Sequence, residues 1–174
     1  KATVQSDTQR IIDVYHRSGA YALPRPSGLG TEGAGVVEAV GPGVTNLMPG
    51  DRAAYAVGSP GAYAEAVILP ADRLVRVPDG VSDEQAASIM LKGMTVQYLV
   101  TQTYRVQKGD TVLLHAAAGG VGLIACQWLN ALGACVIGTV GSDAKASLAR
   151  ANGCHHAIDY SRESVRDRVM ELTG

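Results

Sequence analysis

The stretch from Thr111 to Val140, TVLLHAAAGGVGLIACQWLNALGACVIGTV, constrains this chain more than any other. Thr111 to His115 is a short apolar, β-branched run, which predicts a buried strand. A turn of small residues follows, Ala116 through Gly122. Val121, Ile124, Ala125, Trp128, Leu129 and Leu132 then recur at helical spacing and mark one apolar face. Gly133 stands where such a helix ends in the left-handed conformation, and Ala134 to Val140 reads as a second strand. The pattern is a βαβ unit, because a parallel crossover needs a helix of about this length.

The turn is where chemistry can enter. A helix N-terminus offers free backbone N–H groups and the positive end of its dipole to a pyrophosphate, provided no side chain intervenes. The dinucleotide fingerprint is G-x-G-x-x-G; here it reads A-x-x-G-x-x-G over Ala116, Gly119 and Gly122. A tight turn without a ligand would also use small residues, but the flanking strand and helix favour a nucleotide. Ala117, Gly119, Gly120, Val121 and Gly122 are therefore candidate cofactor contacts. At the end of the second strand, NAD-binding units place an acid to accept from the ribose 2′-OH. This chain has Thr139-Val140-Gly141-Ser142 instead. Gly141 and Ser142 leave room for a 2′-phosphate, and Lys145 stands within reach as a point charge. The cofactor expected is NADPH. Asp143 argues the other way unless it serves as the cap of the next helix.

Composition sets the frame. The 174 residues carry a formal charge of −1, so nothing in the charge balance suits nucleic acid or an acidic membrane surface. With 47% hydrophobic residues a sizeable core is available, and 21 glycines with no phenylalanine suggest a turn-rich α/β protein. Cys126, Cys135 and Cys154 are odd in number and form no C-x-x-C, which reads as reduced, packed thiols in a cytoplasmic protein. No signal peptide is visible, and no apolar run approaches the roughly 18 residues of a membrane span. A start at Lys1 and an end at Gly174 read as a piece of a longer chain.

Along the chain, Lys1 to Gln9 is polar and featureless, and Arg10 to Arg17 suggests a short helix. Leu23 to Gly28 forms an extended, proline-rich loop. Val36 to Val40, Arg52 to Val57 and Tyr63 to Leu69 read as strands separated by Gly41-Pro42-Gly43 and Pro49-Gly50-Asp51, which predicts a compact antiparallel barrel or sandwich. Ser82-Asp83-Glu84-Gln85 is a capping box. Helical text then runs to about Tyr104, with a break expected at Gly93. Asp143 to Ala151 predicts a helix, His156 to Asp159 a strand, and Ser161 to Leu172 a last helix. A β domain over 1–95 and a dinucleotide-binding domain over 96–174 result.

Several strings carry a resemblance: GLGTEGAGVV (residues 28–37), Gly50-Asp51-Arg52, LKGMT (91–95) and HAAAGGVG (115–122) followed by Ala125-Cys126-Gln127-Trp128. They look like the zinc-independent quinone oxidoreductases, the ζ-crystallin group of the medium-chain dehydrogenases/reductases. The resemblance runs from about Ile11 to Gly174 and covers about half of a full member. It implies a partial GroES-like β domain followed by the first half of a Rossmann doubly wound sheet. It also implies NADPH as cofactor, a quinone or enone as substrate, and homo-oligomers in full-length members. A chain with only this half of the sheet should hold the adenosine end and lack normal turnover.

The resemblance extends to single residues. Tyr15 and Tyr21 would line the quinone pocket, and Arg10 stands where the family usually has asparagine. Lys92 and Thr95 would lie beside the nicotinamide ribose, and Tyr160 on the phosphate side. Where zinc-dependent members read Gly-His-Glu, this chain reads Gly30-Thr31-Glu32, so a metal ligand is missing. His155 and His156, adjacent on a strand, would point to opposite faces and could not share a metal. No metal is expected. Two alternatives remain open: an enoyl reductase of the same superfamily, and a non-catalytic NADPH-binding protein.

Overall fold

A computed structural model describes residues 2–6, 11–56 and 60–174. The chain divides into two compact units, Lys1–Leu91 and Lys92–Gly174. Arg10, one of the residues assigned to the quinone pocket, lies outside the described residues.

The first unit is built on one antiparallel sheet of five strands in the order β4-β1-β2-β3-β5. These are β1 (Ala2–Ser6), β2 (Glu32–Val37), β3 (Arg52–Ala56), β4 (Ala66–Val67) and β5 (Val75–Arg76), with helix α1 (Ile11–Ser18) between the first two. The interior of this sheet is made of small residues. Ala34 and Ala54 pack on Ala86 and Ala87, the latter pair at the start of helix α2 (Asp83–Tyr98). Such a core gains little area per residue, and polar anchors supplement it. Arg52 donates to Asp83 from Nε (2.9 Å) and from its terminal nitrogen (2.6 Å), and to the Val81 carbonyl. Buried Glu32 accepts the Leu91 N–H at 2.9 Å. The capping box closes in both directions: the Gln85 N–H donates to Ser82 Oγ, and the Ser82 N–H donates to Gln85 Oε1.

Several sequence expectations change here. The featureless N-terminal text forms β1, because β2 and β4 supply pairing on both of its sides. The strand expected at Val36–Val40 is centred earlier, over Glu-Gly-Ala-Gly, where two flanking strands override a poor intrinsic preference. Only Ala66–Val67 of the predicted Tyr63–Leu69 is strand. Gly93 breaks nothing: α2 runs straight through it and ends in a wider π turn over Leu99–Thr103. A glycine inside a helix costs about 1 kcal/mol, which packing beyond it can offset; Val96 and Val100 are buried in the second unit's core.

The second unit is a parallel sheet in the order β6-β7-β8, formed by β6 (Thr111–Leu114), β7 (Cys135–Val140) and β8 (His156–Asp159). Helices α3 (Gly120–Ala131), α4 (Asp143–Ala151) and α5 (Val165–Thr173) follow the three strands in turn. Gly133 ends α3 at φ 80°, in the left-handed region the sequence assigned to it. Strand β7 is central and buried, and its Gly138 has no room for a side chain. A Cβ there would lie 2.5 Å from the Ala117 Cβ and 2.7 Å from the Cys154 Sγ. Cys126 and Cys154 are both buried free thiols in this core, while Cys135 is half-buried. Helix α5 begins four residues later than expected, at Val165, because the Asp159 carboxylate holds Ser161 in a turn and Ser164 is the cap. His155 lies outside β8, and its Nδ1 accepts the Val136 N–H at 3.0 Å. Among the described residues no helix is long and apolar enough to cross a membrane.

Candidate functional site

The C-terminal ends of β6 and β7 open into a pocket lined by Ala116, Ala118, Gly119, Thr139, Val140, Gly141, Lys145 and Tyr160. Its position is the one where a parallel α/β sheet receives ligands. The structure brings together four residues the sequence singled out on separate grounds: Gly119 from the first turn, Gly141 and Lys145 from the second, and Tyr160 after β8.

The first wall is the β6–α3 turn. Ala116 takes the left-handed conformation, φ 53°, at the point where the fingerprint usually has glycine. Thr139 holds it there. Its buried hydroxyl accepts the Ala116 N–H at 3.3 Å and lies 3.1 Å from His115 Nδ1, while its carbonyl accepts the Ala117 N–H at 3.0 Å. Thr139 thus ties β7 to the turn, a role its place in a buried strand did not reveal in the sequence. Gly119 is the N-cap of α3 and offers no side chain to the helix, so the first N–H groups of α3 are left for another acceptor. Gly122 has a different duty. A Cβ on it would stand 2.3 Å from the Ala116 carbonyl oxygen and 2.7 Å from Ala117 backbone atoms. It is required for the helix to sit against the strand. Ala117 is fully buried, so its methyl group packs inward under Gly138 and does not face the pocket.

The Lys92 side chain runs along the same turn: a Cβ on Gly120 would meet its Cδ at 3.0 Å and its Nζ at 3.6 Å. Val121, next along, packs against the core of the unit. Thr95 lies one turn of α2 beyond Lys92.

The second wall is the β7–α4 turn. Ser142, and not Asp143, caps α4: its hydroxyl accepts the Lys145 N–H at 3.4 Å. Asp143 instead forms a two-pronged ion pair with Arg162, at 2.9 and 3.0 Å. The Tyr160 ring lies across Gly141, where a Cβ would approach its hydroxyl to 2.6 Å. Close by, Asp159 is buried, and hydrogen bonds from the Ser161 hydroxyl (2.7 Å) and N–H (3.0 Å) hold its carboxyl below the usual range.

In the first unit, Tyr15 and Tyr21 form an aromatic pair with ring centroids 5.2 Å apart, and both rings are exposed. Thr31 follows Gly30, whose φ is 81°. Among the described residues no three His, Cys, Asp or Glu side chains are grouped to hold a metal.

Known proteins resemble this chain in sequence and fold. Residues 3–79 match the model of the alcohol dehydrogenase GroES-like domain, and residues 120–174 that of the zinc-binding dehydrogenases. A quinone oxidoreductase of Pseudomonas aeruginosa is 60% identical over 163 residues, covering 93% of this chain and 50% of that protein. A 2-haloacrylate reductase from Burkholderia is 46% identical over 172 residues, 94% of this chain and 51% of the relative. The crystal structure of Escherichia coli quinone oxidoreductase complexed with NADPH superposes with a TM-score of 0.93 at 47% identity, covering 99% of this chain and 53% of that one. The chain spans about half the length of the curated relatives it matches.

Proposed function

The chain belongs to the quinone oxidoreductase group of the medium-chain dehydrogenase/reductase superfamily, and from that premise we propose that it serves an enzyme passing hydride from NADPH to a quinone without a metal. The observation that carries the proposal is the pocket joining Gly119 to Gly141, Lys145 and Tyr160.

The residues present fit that cofactor. Uncapped N–H groups at the start of α3 would receive the pyrophosphate, with Gly119 leaving the approach clear. Gly141, lacking a Cβ, lets the Tyr160 ring lie across the turn, and Tyr160 walls the site. Lys145 would set its ammonium against the 2′-phosphate, with the Ser142 cap fixing the turn from which it projects. Lys92, lying along Gly120, would add a second positive charge on the ribose side, with Thr95 beside it. When bound, the cofactor supplies the hydride. The protein's part is to place donor and acceptor, because a quinone takes up the charge itself.

Thr31, standing where zinc-dependent members have histidine, supports a metal-free site. Tyr15 and Tyr21 offer adjacent aromatic faces to a planar acceptor, with Arg10 nearby in sequence. The likeness to 2-haloacrylate reductase supports a second acceptor class, an activated alkene.

Calorimetric titration of the chain with NADPH and NADH tests the cofactor assignment. Binding of NADPH at least about tenfold tighter than NADH is expected, as one charge-assisted contact supplies. Equal affinities would overturn it. Steady-state assays against quinones and haloacrylates then decide the acceptor.

A further inference from the structure

The pocket contains an apparent contradiction. Asp143 occupies the first turn of α4, between the pocket residues Gly141 and Lys145, where a carboxylate should repel a phosphate. A second carboxylate, Asp159, precedes the pocket residue Tyr160 and is held ionised by Ser161. Against a phosphate monoester of about −1.5 to −2 charge, Lys145 alone would face two acids.

Arg162 answers both. Its guanidinium meets Asp143 through two parallel contacts, at 2.9 and 3.0 Å, and its Nε lies 3.8 Å from Asp159 Oδ2. That Oδ2 accepts no hydrogen bond from any described residue, so Arg162 is the cation that answers it. The Asp143 and Arg162 side chains are 74% and 66% exposed. Exposed pairs contribute little to stability, so fold stability is a weak reason for the long Arg162 side chain to be fixed in this fork.

Resting on the NADPH assignment, we propose that Arg162 is a positioning residue for cofactor choice: it neutralises Asp143 and Asp159 so that Lys145 presents uncompensated positive charge to the 2′-phosphate. Arg162 acts through the acids and does not itself hold the phosphate.

Two small probes isolate this end of the site: 2′,5′-ADP, which carries the extra phosphate, and 5′-AMP, which lacks it. Their dissociation constants are measured at low ionic strength for the unmodified chain, Arg162→Gln, Asp143→Asn and the double variant, with thermal unfolding recorded for each. Arg162→Gln should weaken 2′,5′-ADP about five- to tenfold, the size of one unscreened charge at this range, and move 5′-AMP less than about twofold. In the Asp143→Asn background the same change should cost less than about threefold, since only Asp159 is then left unbalanced. The Arg162→Gln effect should shrink as salt is raised.

Equal losses for both probes, or no loss for either, would overturn the proposal. So would an undiminished loss in the Asp143→Asn background, which would make Arg162 a direct phosphate ligand. An unmodified chain that shows no preference for 2′,5′-ADP would instead sink the NADPH assignment itself.

Discussion

Two turns in the second unit begin alike and end with opposite solutions. Each follows a parallel strand, each opens a helix, and together they wall one pocket. The β6–α3 turn works by what it lacks. It has no side-chain cap at Gly119 and no tolerance for a Cβ at Gly122. The β7–α4 turn works by what it carries: a serine cap, a lysine, a tyrosine laid over Gly141, and an ion pair behind them. On the proposed reading, the first would accept any pyrophosphate, whereas the second would distinguish one ribose from another. That reading leaves the common part of the ligand to backbone and the variable part to side chains.

Gly122→Val should break the contrast most severely. Its branched side chain would overlap the Ala116 and Ala117 backbone, which cannot move without lifting α3 from β6. A loss of at least about 3 kcal/mol is expected, seen as a large drop in the unfolding midpoint. An unaltered midpoint would mean the helix can slide freely.

Gly119→Val should leave the fold in place and block the pocket. Its φ of −82° suits any residue, and a Cβ there meets the Ala116 carbonyl oxygen at 3.1 Å and the Ala116 Cβ at 3.9 Å. Nucleotide affinity should fall by two orders of magnitude or more, for NADPH and NADH alike, about the worth of a lost pyrophosphate site. Unchanged affinity in a folded variant would show that the turn is structural only.

Lys145→Ala sharpens the second half of the comparison. NADPH affinity should fall about tenfold, in line with a hydrogen bond to a charged group, while NADH binds as before. Equal losses would deny the second turn its discriminating role.

Ser142→Ala is the mildest change. Losing a cap costs about 1 kcal/mol, so a shift of a few degrees in the midpoint is expected with cofactor preference kept. A lost preference would make Ser142 a direct ligand.

The sequence was most informative where local chemistry decides the outcome. The Ser82 box, the left-handed Gly133, helix α4 and strand β8 follow from capping, backbone freedom and periodicity. It was least informative where pairing across the chain decides. Strand β1 has polar text, β2 is half glycine and alanine, and both are strands because neighbours complete their hydrogen bonds. Within the pocket, Gly119, Gly141 and Lys145 were legible from strand ends and the spacing the βαβ pattern sets, and Tyr160 only through the family resemblance. Thr139 and the Asp143–Arg162 pair were not. Their partners lie 19 to 24 residues away in the chain, and no local pattern announces such a contact.

The three thiols also make the second unit its own recorder. Cys135 stands half-exposed at the start of β7, whereas Cys126 and Cys154 are sealed beneath that strand. Hydrogen bonding to Cys154 and burial both hold the Cys126 thiol above its ordinary range. The same contact lowers Cys154 to about 7, so burial is what keeps a reagent from Cys154 while the sheet is closed. A small alkylating reagent should therefore label one site promptly and two sites only as often as the parallel sheet opens. The slow phase would time that opening with no cysteine added to the chain, and a nucleotide seated over β7 should lengthen it.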